Sequence, residues 1–418
     1  GMIRDFAAKF QQLTAPVAAK GVEDTAFYRF NRLVSLNDVG SDPANFGTTV
    51  EAFHVASADR AARWPHTIVA TSTHDNKRSE DMRARIDVLS EMPAEWRRLT
   101  RRWAGLNRER KRALEEEAAP SSNDEYLLYQ TLIGTFPADG LDGKSLPAYR
   151  ERIGAYMTKA AREAKVHSSW VAINEDYEAA LRHFVDDILD GTEGNAFLAD
   201  LRGAAAPLAW FGCLNSLSMA LVKLASPGVP DLYQGNEIND WSLVDPDNRR
   251  PVDYALRRRL LEDLSRIPSG AGAAAALSTL LSSPEDGRAK LWIIWRSLKL
   301  RASEPALFAS GDYVPLAVSG ARAEHVVAFA RRRGDIGLIV VAGRLWASLG
   351  PPVGTPPLGS AAWKDTAIDL APLGAIAQPM DALSMNRVRI QNGRLMLADA
   401  FSAFPGALIL YRDASAPT

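Results

Sequence analysis

The sequence predicts a chain of mixed class, α/β followed by β, and three observations carry that expectation. Short apolar, β-branched runs end abruptly in polar loops at residues 67–71 (TIVAT) and 229–233 (VPDLY). Apolar residues recur at helical steps through the middle of the chain. After about residue 312, short strand-like runs alternate with turns, as in a small antiparallel domain.

Taken in order, residues 2–78 mix short helices with Gly- and Asp-rich turns around TIVAT, which reads as a short buried strand. Residues 79–226 read as helical. Ser79 followed by Asp81 and by Met82, Ile86 and Leu89 has the form of a capped helix start. Trp96, Leu99, Trp103 and Leu106 form one apolar stripe, and Ile173, Tyr177, Leu181, Phe184 and Ile188 form another. Both read as core packing. The arginines of 97–112 read as a solvated face, offset by Glu95, Glu109 and Glu115 to Glu117. Residues 227–310 open at the turn Ser226-Pro227-Gly228 and continue into helices near 252–265, 272–282 and 289–302. Residues 311–418 carry strand-like VVAFAR, GLIVV, RVRI and ALILY, with a Pro- and Gly-rich loop at 350–359.

Composition limits the function class. Of 418 residues, 47% are hydrophobic and 24% charged, which excludes disorder as the overall class. Lys and Arg number 49 against 50 Asp and Glu, so net charge gives no reason to expect nucleic acid or an anionic membrane as partner. A lone cysteine, Cys213, forms no internal disulfide and no cysteine-based zinc site, and a cytoplasmic setting is the simplest expectation. The most apolar run, 208–224, contains Asn215, Ser218 and Lys223 and falls just short of a membrane span. Gly1 ahead of Met2 has the form of a residue left by tag cleavage. The stretch after Met2 is amphipathic and lacks the apolar core of a signal peptide.

The histidines have no metal-ligand spacing, and Walker A, GxGxxG and GxSxG patterns are absent, so neither a metal nor a nucleotide cofactor is expected. What remains is three polar stretches rich in carboxylates. THDNKRSED (73–81) directly follows the TIVAT strand, where a parallel barrel places its active-site face. The competing reading is a helix start that Asp75 or Ser79 merely caps. KGVEDTAFYR (20–29) crowds Lys20, Glu23, Asp24, Tyr28 and Arg29 around Phe27, a mixture suited to a sugar's hydroxyls and its apolar face. The competing reading, favoured on these residues alone, is a surface helix with local ion pairs. PGVPDLYQGNE (227–237) and LVDPDNRRPVD (243–253) form a proline-stiffened polar loop, for which salt-bridge cross-linking is the alternative at Arg250 and Asp253.

The four motifs KGVEDTAFYR, THDNKRSED, PGVPDLYQGNE and LVDPDNRRPVD, in this order along the chain, resemble the maltooligosyltrehalose synthase family, a branch of the wider alpha-amylase family of glycoside-active enzymes. The resemblance runs from FQQLTAPVAAKGVEDTAFYR to LKLRASEPALFASGDYVPL (298–316) and weakens over the final hundred residues. It implies the C-terminal part of a (β/α)8 barrel, a large helical insertion and a C-terminal antiparallel β domain. The implied chemistry is intramolecular transglycosylation, converting the reducing-end α-1,4 bond of a maltooligosaccharide into an α,α-1,1 bond with a nucleophile, an acid/base and a third carboxylate. By motif position Asp75 is the third carboxylate and His74 its sugar-binding neighbour. Lys77 and Arg78 complete the THD-x-KR pattern, and Lys20, Glu23, Asp24, Tyr28, Arg29, Tyr233, Gln234, Asp245, Asp247 and Arg249 line the glucan subsites.

The family's nucleophile and acid/base lie well before the THD motif, and the 72 residues ahead of Thr73 hold no candidate for either. Arg85-Ile86-Asp87 imitates the nucleophile motif but falls after Asp75, in a helical pattern. The resemblance therefore implies a C-terminal portion, inactive alone, whose open half-barrel is covered by self-association, by an N-terminal synthase polypeptide or by repacking of the helical insertion. The alternative is a non-catalytic maltooligosaccharide-binding or split-enzyme subunit of the same fold. The implied pathway partner is maltooligosyltrehalose trehalohydrolase.

Overall fold

Capping residues and apolar spacing set the helices that make up most of the chain. The computed structural model describes residues 1–115, 118–138 and 140–414. Contacts divide it into two compact units that interleave along the sequence. The first comprises Gly1–Phe46, His74–Ala209 and Trp241–Arg249; the second comprises Gly47–Thr73, Trp210–Asp240 and Arg250–Thr418.

The first unit is helical. Ser79 caps the helix Glu80–Asp87 by accepting from the Met82 amide, Ser121 caps Ser122–Thr135 through Asp124, and Asn174 caps Glu175–Ile188 through Tyr177. Met82, Ile86 and Leu89 are buried, as are Tyr177, Leu181, Phe184 and Ile188, each large side chain contributing roughly 1.5–3 kcal/mol. Trp103 sits at the centre of an aromatic cluster, edge-on to Trp96 at 5.7 Å and to Phe197 at 5.6 Å. Its indole donates to Asp200 at 2.8 Å. The expected stripes are longer than the buried ones: Leu106 and Ile173 are exposed. Ile173 precedes the Asn174 cap and is therefore outside the helical period.

In the second unit the strands Ile68–Val69 and Val229–Pro230 pair in parallel. Gly228 makes this possible: its φ is +117°, and a Cβ there would stand 2.5 Å from the Val69 side chain and 2.9 Å from the Thr67 carbonyl. The expectation of a buried strand at 67–71 fails. Only two residues are extended, and Ile68 is 72% and Val229 49% exposed. A parallel pair is buried only when further strands and helices cover both faces.

The helix Ala196–Ala225 passes from one unit into the other and has 30 residues. This corrects the expected short apolar run. The helix is long and apolar enough to cross a membrane, yet most of its apolar window is buried within the protein. Leu217, Leu221 and Leu224 join the second unit's core, together with Trp292 and Phe329.

The second unit also contains Tyr254–Ser265, Ala271–Ser282 and Arg288–Ser303, followed by antiparallel sheets. The larger sheet has the order Ile376–Asp381, Gly406–Asp413, Ile336–Gly343, Val326–Arg333, Asp312–Pro315. The smaller has the order Arg394–Met396, Ala367–Asp369, Val318–Ser319. The expected strand RVRI does not form: Arg387 makes an isolated bridge to Met380. The edge strand beside it is broken by a register shift between Ala377 and Met380, so no ladder propagates.

Candidate functional site

The polar stretches of the first unit meet through two buried or half-buried carboxylates. A three-residue turn of helix, Phe27–Arg29, ends the π-helical segment Ala19–Ala26, and within it Lys20 and Asp24 lie one turn apart, 2.6 Å between charged atoms. Lys77, from the second stretch, reaches the other oxygen of Asp24 at 2.7 Å and is itself buried. Burial pushes the Asp24 carboxyl up. Hydrogen bonds from Lys20 and Lys77 outweigh that, and its pKa lies below the usual value. The Asp24 hydrogen bond and charge raise Lys20 above its ordinary value.

Asp38 organises the backbone just after Asp75. It is buried, accepts from the Asn76 side chain and from the Lys77 amide at 3.4 Å, and pairs with Arg83 at 3.3 Å. Asn248 holds the other side of the turn by donating to the His74 carbonyl at 2.9 Å. Ser79 provides the helix cap, so Asp75 is not consumed in that role; His74 and Asp75 are both exposed. Glu23 accepts from the Gly40 amide at 3.2 Å.

Several residues of the motifs are engaged inside the unit. Arg78 is buried, donating to the Val34 carbonyl at 3.2 Å and to the Tyr156 hydroxyl at 2.8 Å. Tyr28 is buried beside it, and desolvation raises its phenol far above the ordinary value. Arg29 donates to the carbonyls of Ala164 and Lys165, satisfying the end of the helix Ser145–Ala164. Asp247 is gripped by Arg152 at 2.8–3.0 Å and accepts from the Leu243 amide at 2.8 Å. Asp245 and Arg249 form a surface pair at 2.9 Å, while Lys159 holds the Asp245 carbonyl. Thus Lys20 and Lys77 meet at Asp24, His74 and Asp75 stand exposed on the turn that Asp38 and Asn248 hold, and Arg78, Tyr28, Arg29 and Asp247 face structural partners.

Tyr233 and Gln234 belong to the second unit. They come after Val229–Pro230, where Asp231 donates to the Val69 carbonyl at 2.9 Å and Asn236 turns back to the Tyr233 carbonyl at 2.9 Å. Arg257 fixes the loop through Glu237 at 2.8 Å and through the Gly235 carbonyl. Tyr233 is half-buried and Gln234 exposed. Asp253, further on, caps Tyr254–Ser265 by accepting from Leu256 at 2.8 Å, a structural role different from the salt-bridge cross-link weighed for it.

Sequence reasoning missed Asp38, Asn76, Asn248 and Arg152. Their partners lie 38 to 174 residues away, and only the recurrent Asp and Asn in turn-forming positions hinted at them. The Asp87 of the imitation motif ends the helix Glu80–Asp87, as its helical pattern indicated. Among the described residues, no group of three or more His, Cys, Asp or Glu side chains is arranged to hold a metal ion.

No family model matches the chain. A Mycobacterium tuberculosis protein named as a putative maltooligosyl trehalose synthase is 38% identical over 335 residues, which cover 80% of this chain and 38% of that protein. The solved maltooligosyltrehalose synthase of Arthrobacter ramosus superposes with a TM-score of 0.76 at 36% identity, covering 97% of this chain and 46% of that one. A Sulfolobus tokodaii structure described as a hypothetical maltooligosyl trehalose synthase gives 0.70 at 30% identity, covering 97% and 47%. The chain therefore spans less than half the length of these relatives.

Proposed function

Taking as premise its kinship with maltooligosyltrehalose synthases over less than half their length, we propose that the chain contributes part of a glucan-rearranging active site. The reaction is the conversion of the reducing-end α-1,4 bond of a maltooligosaccharide into an α,α-1,1 bond. One glycosidic bond breaks and one forms, with no net gain of water. In the retaining scheme a nucleophile and an acid/base act at the anomeric carbon, and a third carboxylate binds the distorted ring.

Asp75 is assigned the third role and His74 the adjacent hydrogen bond to the sugar. Lys20, Glu23, Asp245, Arg249, Tyr233 and Gln234 are assigned to the subsites. Asp24 and Lys77 are assigned as the link that positions the Asp75 turn, and Arg78, Tyr28, Arg29 and Asp247 as positioning residues behind it. The observation that carries this reading is the joining of two sequence-distant motifs: Lys77, two residues after Asp75, bonds Asp24 at 2.7 Å.

On this reading one of the three catalytic carboxylates, Asp75, is assigned to these 418 residues. The chain alone is therefore proposed to bind maltooligosaccharides without turning them over, since losing one member of a catalytic set already costs orders of magnitude. A cytoplasmic setting and hand-over of the product to a trehalohydrolase complete the proposal. Calorimetric titration with maltopentaose tests the binding, which should weaken about tenfold in Asp75→Ala. Unchanged affinity in that variant would remove Asp75 from the site.

A further inference from the structure

The Pro- and Gly-rich stretch 350–359, which the proposed function leaves unused, walls a cavity of about 260 Å³ within the second unit. Pro351, Pro352, Pro356 and Pro357, with Leu349 and Leu358, make most of that wall apolar. The wall is held from behind. The Trp363 indole donates to the Pro357 carbonyl at 2.7 Å, the Gly359 amide to Phe401 at 3.0 Å and the Thr355 amide to Pro352 at 2.9 Å. Prolines fix φ and carry no N–H, so the wall is stiff and poor in donors.

Arg322 lines the same cavity. Its backbone is pinned: its amide donates to the Thr366 hydroxyl at 3.0 Å, and the preceding Ala321 amide donates to the Asp365 carboxylate at 3.0 Å. The guanidinium is not pinned in that way. Its Nε is buried and meets no hydrogen-bond partner among the described residues. The carbonyls of Pro352 and Pro356 already accept from the amides of Thr355 and Leu358, and that of Pro357 from Trp363. A buried donor without an acceptor is costly, and the planar edge of a guanidinium is matched best by a carboxylate.

We propose that this cavity binds a small organic monocarboxylate, with its acid group on Arg322 and its apolar body against the prolines. The volume lies just below the roughly 300–1,000 Å³ of pockets for drug-sized ligands, which limits that body to a single ring or a short branched chain. A glucan is disfavoured as the occupant. Sugar rings pack on aromatic faces, and among the described residues no aromatic side chain lines the cavity. A bare inorganic anion would leave the apolar wall unused. None of the lining residues belongs to the motifs assigned to glucan, so the inference is independent of the proposed function.

The test titrates the full chain with phenylacetate, followed by saturation-transfer NMR and calorimetry. Phenylacetate is expected to bind at least tenfold more tightly than either the neutral phenylacetamide or inorganic phosphate. Arg322→Gln should weaken that binding at least tenfold. Ala361→Phe, which adds a ring at an exposed position on the cavity's edge, should do the same with Arg322 intact. Melting curves accompany both variants. Should Arg322→Gln melt below the parent, Ala361→Phe decides, since it removes none of the side-chain donors that hold the cavity. No binding of phenylacetate, equal binding of phenylacetamide or phosphate, or binding that survives a folded form of either variant would overturn the proposal. So would displacement of phenylacetate by maltopentaose, which would make the cavity a glucan site.

Discussion

Lys77 Nζ lies 2.7 Å from Asp24 Oδ1, and this contact ties together two segments 53 residues apart in sequence. Lys77 is buried while Asp24 keeps one side toward solvent, so the pair is partly screened and its net worth modest. The Asp24 carboxyl is held below its ordinary range in the fold. A lowered carboxylate contributes stability above the unfolded pKa, near 4, and loses it as pH falls through the folded value. Asp24→Asn is expected to cost about 1–2 kcal/mol at pH 7. That difference should shrink as pH falls through the folded value, which paired denaturation curves across pH would measure.

His54 provides a second pH handle, in the other unit. Its ring nitrogen is 2.8 Å from the Tyr313 hydroxyl, and Phe53 beside it packs on Phe329 of the large sheet. Burial lowers the imidazole pKa, with only a small opposing pull from Glu51. The unfolded chain then binds more protons than the folded one as pH drops past about 6.5, so stability falls in that direction. Melting temperature should decline between pH 7 and pH 5, and His54→Gln should flatten that slope. An unaltered slope in the variant would assign the effect elsewhere.

Gly228 is expected to tolerate no side chain. Its φ of +117° is strained for any L-residue, and a Cβ would press on Val69 and on the Thr67 carbonyl. Gly228→Ala should cost about 2–4 kcal/mol. The loss should be local first: the Val229 and Asp231 amides, which donate to Thr67 and Val69, should exchange hydrogen faster.

Helix positions were legible where caps and apolar period are local signals, as at Ser79; the caps Ser121 and Asn174 follow the same rule but were found only in the structure. The exposure of Ile68 was not legible, since an apolar β-branched strand reads as buried whatever covers it. The 30-residue helix exceeded its expected length because Pro207 and Arg202 interrupt the apolar pattern without ending the helix. In the candidate site, residue types located the motifs, but side-chain commitments could not be read from them. Arg29 serves a helix end and Arg78 a buried carbonyl, whereas Lys77, of the same stretch, reaches Asp24. Such choices depend on contacts tens to hundreds of residues away.

These residues are proposed to supply the third carboxylate and part of the subsites of a glucan mutase whose other catalytic carboxylates lie outside them. The most direct measurement is the fate of maltopentaose reducing ends, monitored with the purified chain alone and after mixing with the unmatched part of the Arthrobacter ramosus synthase. We expect no loss of reducing ends with the chain alone, loss on mixing, and abolition of that loss by Asp75→Ala. Turnover by the chain alone, or turnover on mixing that survives Asp75→Ala, would contradict the assignment.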